Sequence, residues 1–170
     1  KGYYVEALRE YRLALDSGED RRLVLQAMAE LHLLQRDLPV ALELYETLAR
    51  EVPDSPKLWN ERGVCLHQAG RQDDAAASYL RAIEIDPEYV LAWNNLGVLR
   101  THQSDNDGAL ETFQRALHLK SDLVAARLNL ALLLFQRRRF QLALEAYRQV
   151  LADRPNEAVA WNGVGLVLVE

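Results

Sequence analysis

The sequence has 170 residues, of which 49% are hydrophobic and 26% are charged, and its formal net charge is -5. The charge balance argues against a nucleic-acid partner, which requires a concentrated basic patch. The only cysteine, Cys65, excludes an intrachain disulfide and a thiolate metal cluster. It fits a reducing compartment, so we expect a cytoplasmic protein, with the periplasm as the alternative. No apolar run reaches the roughly 18 residues of a membrane span, so we expect no membrane insertion.

The chain reads from its start as a series of helices, because apolar residues recur at intervals of three and four and never alternate with a period of two. The first helix is predicted at about residues 4–17. Helix breaks follow at a regular phase, at Pro53-Asp54-Ser55-Pro56, at Asp86-Pro87 and at Arg154-Pro155. Helices of this length, joined by short turns, must pack as antiparallel neighbours.

Small and aromatic residues recur every 34 residues, which is the signature of a repeat array. One column of small residues lies on the first helix of each pair: Ala29, Gly63, Gly97, Ala131 and Gly165. A second column lies on the second helices: Ala7, Ala41, Ala75, Ala109 and Ala143. We expect a single array over 1–170, with a second helix of a partial repeat at 1–21, full repeats at 22–55, 56–89, 90–123 and 124–157, and a lone first helix at 158–170.

The glycines indicate how closely the helices approach each other. A glycine inside a helix costs about 1 kcal/mol relative to alanine, so three of them at one phase need a compensating gain. Close crossing of helices supplies it, with a Trp or Tyr ring filling the space beside each small residue. A larger side chain at Gly97 or Ala109 should therefore be destabilising.

The recurring residues resemble the tetratricopeptide repeat, and the resemblance covers the whole chain. The unit at 90–123 carries the pattern best, in Trp93, Leu96, Gly97, Ala109, Phe113 and Ala116, with Ser121 in place of the closing proline. The resemblance implies an all-α, right-handed superhelical solenoid of antiparallel helix pairs. It also implies that first helices line the concave face and second helices the convex face.

Asparagines are concentrated on the predicted concave face, although asparagine is a poor helix former. The residues at and beside the position after the Trp column are Asn60, Asn94, Asn95, Asn129 and Asn162. An amide donates and accepts at once, which suits it to holding the backbone of an extended peptide. An apolar stripe, Val64, Val98 and Leu132, follows one turn later, and His67, His102 and Phe135 lie beyond it.

These residues predict a non-catalytic scaffold that binds an extended or helical segment of another protein in its groove. The alternative is structural, with the amides bonding between neighbouring first helices. The chaperone-binding carboxylate clamp is absent, because Lys57 has no partnering Arg or second Lys in the groove columns. The asparagine pattern is partly similar to the superhelix of O-linked N-acetylglucosamine transferases, which makes a substrate-presenting arm of a larger enzyme a second hypothesis.

A third hypothesis is a homo-oligomer joined through the terminal helices, since the last predicted helix is unusually apolar. We expect no enzyme, cofactor or metal site. The chain has no phosphate-binding glycine loop and no Ser/His/Asp signature, and two histidines, His67 and His102, are too few ligands for a metal.

Overall fold

The computed structural model describes residues 2–170, and Lys1 lies outside the described residues. Residues 2–170 form ten α-helices and no strand. The chain divides into two compact units, unit 1 ending at Pro87 and unit 2 running from Glu88 to Glu170. The repeat boundaries predicted above stay our proposal for how the helices are grouped.

Unit 1 contains five helices: α1 (Gly2–Asp16), α2 (Arg21–Leu34), α3 (Leu38–Glu51), α4 (Pro56–Gln68) and α5 (Gln72–Ile85). Helix α4 begins where the proline-rich break predicts, because Ser55 caps it by accepting a hydrogen bond from the Leu58 N–H and Pro56 occupies its first turn. The core of unit 1 includes Tyr45 and Leu48, together with Cys65, which is fully buried as a small packing residue.

Unit 2 contains the other five helices: α6 (Val90–His102), α7 (Asn106–Leu119), α8 (Val124–Gln136), α9 (Phe140–Asp153) and α10 (Ala158–Val169). Each helix packs on its neighbour in sequence, and α6 also contacts α8, so these two first helices lie side by side. Among residues 2–170, no helix combines the length and the apolar character needed to cross a membrane.

The turn inside each helix pair contains one residue with a left-handed backbone. These residues are spaced 34 apart: Arg36 (φ 61°), Gly70 (φ 76°), Ser104 (φ 63°) and Arg138 (φ 57°). Only Gly70 adopts this conformation without a steric cost, because a side chain costs roughly 1–2 kcal/mol there. The turn geometry is therefore set by the packing of the two helices and is not dictated by the turn residue itself.

The glycine column brings first and second helices into close contact, as the sequence predicts for Gly97. A Cβ atom added to Gly97 would lie 2.5 Å from Cε1 of Phe113, and one added to Gly63 would lie 2.6 Å from Cε1 of Tyr79. Both rings are 1% exposed. Each ring thus lies against the backbone of a glycine sixteen residues earlier in the chain, which fixes the spacing of the pair.

Candidate peptide-binding site

The predicted amides lie on first helices, but they differ strongly in exposure. Asn60 on α4 is 5% exposed and Asn94 on α6 is 9% exposed, whereas Asn95 and Asn129 are half-buried and Asn162 on α10 is exposed. The contact of these five amides with a peptide stays a prediction. Asn60 and Asn94 lie beneath the surface, where they orient other groups more readily than they contact a peptide.

In unit 2 three amides form a hydrogen-bonded ladder between α6 and α8. The Asn129 side-chain N–H donates to Oδ1 of Asn94 at 3.1 Å, and the Asn94 side-chain N–H donates to Oδ1 of Asn95 at 3.3 Å. Asn94 therefore acts as a strut between the two first helices, which is the structural alternative considered above. A buried amide needs such partners, because leaving one unsatisfied costs about 1–3 kcal/mol.

Asn129 combines this structural bond with an acceptor. One of its two side-chain N–H groups donates to Asn94, and the amide held in this way keeps the acceptor capacity of its Oδ1. Asn129 also lines a pocket of about 180 Å³ on the surface of unit 2. The ladder thus holds a hydrogen-bond acceptor in a fixed position at the edge of this pocket.

The pocket between α6 and α8, with α7 behind it, has an apolar wall and polar groups beside it. The apolar wall consists of Val98, Phe113, Leu132 and Leu133. The polar lining consists of Thr101, His102, Asn129 and Gln136. Leu132 is 45% exposed, so a large apolar side chain stands at the surface here. An apolar wall beside a few placed polar groups is the usual composition of a binding pocket.

The pocket brings together four of the residues predicted from the sequence, Val98, His102, Asn129 and Leu132. Phe135 does not line it. The ring of Phe135 packs instead against Phe140, with the ring centroids 5.7 Å apart. Asn162 does not line the pocket either, and Asn60, Val64 and His67 belong to unit 1.

Thr101 belongs to the same repeat column as His67 and Phe135, which the sequence places beyond the apolar stripe. Gln136 was not expected from the sequence, although it follows Leu132 by four residues and so lies one turn further along the same helix face. Phe113 was correctly identified as a packing residue, but its ring also closes the back of the pocket.

Unit 1 has a carboxylate where unit 2 has amides, because Glu61 occupies the repeat position of Asn95 and Asn129. The Lys57 ammonium lies 3.4 Å from Oε1 of Glu61 and 3.4 Å from Oε1 of Glu30. Oε2 of Glu61 and the hydroxyl of Tyr45 are buried without a hydrogen-bond partner among the described residues. This cluster is therefore less well satisfied than the amide ladder of unit 2.

Burial raises the pKa of Glu61 above its ordinary value, Lys57 opposes this rise and Glu30 adds to it. Burial lowers the pKa of Lys57, but the two carboxylates outweigh it and the net shift is upward. Both pKa values are raised, but the rise favours the charged form of Lys57 and the neutral form of Glu61. Lys57 is stabilised in its charged form by two carboxylates, whereas Glu61 loses more from burial than it gains from one shared ammonium.

We expect Glu61→Gln to raise the free energy of unfolding at pH 7 by about 1 kcal/mol, because it removes a partly buried charge with an unsatisfied oxygen. The folded pKa of Glu61 exceeds its unfolded value, so the folded state binds the proton more tightly. The cost of the charge is therefore fully present above the folded pKa and is relieved as the pH falls through it. The increase in the free energy of unfolding caused by Glu61→Gln should therefore shrink as the pH falls through the folded pKa of Glu61.

Urea unfolding of both proteins between pH 4 and 7 measures this difference, with pH values chosen to bracket the ordinary carboxyl range. Glu43→Gln on the exposed side of α3 is the control for the change in net charge. A Glu61→Gln advantage that stays constant with pH would contradict the argument.

Comparison with known proteins identifies the repeat. Two models described as tetratricopeptide repeat match the sequence, one over residues 27–90 and 73–124 and the other over residues 100–165. No curated protein gives a significant sequence match.

Solved structures with the same fold share little sequence with this chain. TTC0263, described as a thermophilic TPR protein in Thermus thermophilus, superposes with a TM-score of 0.80 at 23% identity, covering 99% of this chain and 92% of its own. Pseudomonas aeruginosa pilF superposes with a TM-score of 0.78 at 22% identity, and the match covers 89% of this chain and 69% of the pilF chain. YrrB, described as a TPR protein with an unusual peptide-binding site, superposes with a TM-score of 0.70 at 18% identity. The match covers 94% of this chain and 82% of the YrrB chain.

These likenesses show the fold, and the family models extend over more than half of the sequence. The predicted all-α solenoid of antiparallel helix pairs is thereby confirmed. The chain belongs to the tetratricopeptide repeat family.

Proposed function

We propose that unit 2 binds an extended segment of another protein across α6 and α8, with one apolar side chain of that segment in the pocket. The observation that supports this most directly is the juxtaposition of the fixed Asn129 acceptor and the apolar wall around Leu132. An extended peptide offers a backbone N–H and a side chain at adjacent positions, which match these two features.

The pocket residues have distinct roles in this proposal. Val98 and Leu132 contact the apolar side chain of the peptide. Asn129 accepts a hydrogen bond from a backbone N–H of the peptide. Asn94 and Asn95 hold Asn129 in place and do not themselves contact the peptide. Pre-organisation of this kind favours binding, because the acceptor is ordered before the peptide arrives.

Family membership supports this proposal at a coarser level, because tetratricopeptide repeats typically form non-catalytic scaffolds for protein–protein interaction. YrrB is described as having a peptide-binding site of its own. Within residues 2–170, no group of three His, Cys, Asp or Glu side chains is placed to hold a metal ion. The pocket chemistry of this chain is therefore the chemistry of amides, a hydroxyl, an imidazole and apolar walls.

We expect Leu132→Glu to weaken peptide binding at least about 10-fold, since the peptide side chain would have to desolvate a carboxylate instead of contacting an apolar surface. A random dodecapeptide library displayed on phage is selected on the 170-residue chain. The enriched peptides are synthesised with a fluorophore, and their affinities are measured by fluorescence anisotropy.

Leu80→Glu is the matched control. Leu80 on α5 is 49% exposed, close to the 45% of Leu132, but it belongs to unit 1 and does not line the pocket. Selected peptides should bind Leu80→Glu as they bind the unchanged protein. The proposal fails if no peptide is enriched, or if the enriched peptides bind Leu132→Glu and the unchanged protein equally.

A further inference from the structure

We propose that the side chain anchored in this pocket is a tyrosine, whose ring contacts the apolar wall and whose hydroxyl donates a hydrogen bond to Thr101. This inference rests on the proposed function, because it names the kind of peptide that the same pocket takes. It follows from the pocket's size and from which hydrogen-bonding groups of its lining are already used.

The pocket volume favours a side chain with one ring. A pocket of about 180 Å³ is somewhat larger than the roughly 150 Å³ apolar cavity that holds a benzene molecule. The wall that such a ring would meet consists of Val98, Leu132 and Leu133, with Phe113 behind them. Aromatic rings pair favourably at an offset or edge to face, so the ring of Phe113 adds to this preference.

The hydroxyl of Thr101 faces the ligand as an acceptor. Its single O–H proton is committed to the carbonyl oxygen of Gly97 in the preceding turn, at 3.0 Å. A threonine hydroxyl keeps acceptor capacity when it donates. A ligand group near Thr101 must therefore supply the proton itself.

Asn129 presents the same polarity at the other side of the pocket. One of its two side-chain N–H groups donates to Asn94, which fixes the amide so that Oδ1 can accept a hydrogen bond from a ligand. Gln136 can act as donor or acceptor according to how its amide is turned. The Thr101 hydroxyl, whose one proton is committed, thus selects a ligand group that donates a hydrogen bond.

An extended segment with a tyrosine supplies two donors in the required combination. Its backbone N–H reaches Asn129, and its phenolic O–H reaches Thr101, while the ring covers the apolar wall. Leucine fills the wall but provides no side-chain donor. A phosphotyrosine oxygen is an acceptor that carries charge, so at Thr101 it meets another acceptor beside an apolar surface. The pocket should therefore reject the phosphorylated form of the segment that it binds.

The dodecapeptide selection tests the inference directly. We expect the enriched peptides to share one tyrosine. Replacing that tyrosine by phenylalanine in a synthetic peptide should weaken binding about 5-fold, the usual net effect of one hydrogen bond. Phosphorylating it should weaken binding more than about 100-fold, because a charged acceptor loses its hydration without gaining a donor.

Thr101→Val separates the hydroxyl from the shape of the pocket. It should weaken binding of the tyrosine peptide about 5-fold and leave binding of the phenylalanine peptide unchanged. Thr47→Val is the control. Thr47 on α3 donates to the Glu43 carbonyl oxygen at 2.9 Å, the same bond within one helix, but it lies in unit 1. Circular dichroism establishes that both variants are folded.

The results distinguish this inference from the proposed function. Enriched peptides that carry leucine or valine in place of tyrosine, and that lose affinity for Leu132→Glu, would overturn the tyrosine anchor and leave the peptide site intact. Equal losses of tyrosine and phenylalanine peptides on Thr101→Val would overturn it as well. Binding that is insensitive to Leu132→Glu would overturn both.

Discussion

Phe113→Ala is expected to lower the free energy of unfolding by about 3–5 kcal/mol, the range for removing a buried phenylalanine. Phe113 is 1% exposed and belongs to a cluster with Ala109 and Leu133. The ring also lies against the backbone of Gly97. On this side of the ring, Gly97 has no side chain that could fill the space left behind.

Urea unfolding followed by circular dichroism at the helical minimum measures this loss. Tyr3→Ala is the control, because it removes an aromatic ring that is 87% exposed and should change the free energy of unfolding by less than about 0.5 kcal/mol. An effect of Phe113→Ala below about 1 kcal/mol would show that the ring does not hold α6 and α7 together.

The second large effect is expected from Gly97→Ala, which should lower the free energy of unfolding by about 1–3 kcal/mol. The added Cβ would lie 2.5 Å from Cε1 and 2.7 Å from Cδ1 of Phe113. Contacts this short force the ring or the helix to move. The better helix propensity of alanine, worth about 1 kcal/mol, offsets only part of this cost.

Gly165→Ala provides a matched control within the same column of the repeat. A Cβ added to Gly165 meets no atom within 4 Å in the 170-residue chain. Gly165→Ala should therefore be neutral or raise the free energy of unfolding by up to about 1 kcal/mol. The same unfolding experiment on both variants gives opposite signs if contact with the ring decides the effect, and the same sign if helix propensity decides it.

The two substitutions should also be strongly non-additive. Once Phe113→Ala has removed the ring, the Cβ of Gly97→Ala has room. The double variant should therefore be no less stable than Phe113→Ala alone, which makes the coupling energy about as large as the cost of Gly97→Ala itself. Simple addition of the two effects would mean that Gly97→Ala acts through something other than this contact.

The helices and the glycine contacts could be predicted from the sequence because both depend on regular spacing. Gly97 and Phe113 lie on the first and second helices of one pair, where a ring beside a glycine allows the helices to cross closely. The interval of 34 residues repeats this arrangement along the chain. The same argument applies to Gly63 and Tyr79 in unit 1. Packing contacts of this kind repeat with the sequence pattern, so one of them predicts the others.

The polar contacts could not be predicted in the same way, because each depends on what stands on a neighbouring helix. Asn94 and Asn129 have the same residue type, yet one is a buried strut and the other presents an acceptor to the pocket. The buried hydroxyls of Ser78 and Thr112 share one repeat position, but their guanidinium donors, Arg62 and Arg100, do not. A small shift along a helix is enough to change such partners.

The ladder from Asn129 through Asn94 to Asn95 also has a direction, since Asn129 on α8 donates to Asn94 on α6 and presents its own Oδ1 as an acceptor on α8. A bound segment whose anchor side chain occupies the pocket must aim its N–H at that oxygen. If the segment bound in the reverse orientation, a backbone carbonyl oxygen would replace this N–H beside Oδ1 of Asn129. The two oxygens would then repel each other, because both are acceptors. This surface would then recognise the N-to-C polarity of its partner, and a peptide with the reversed order of residues would be a poor substitute for the original.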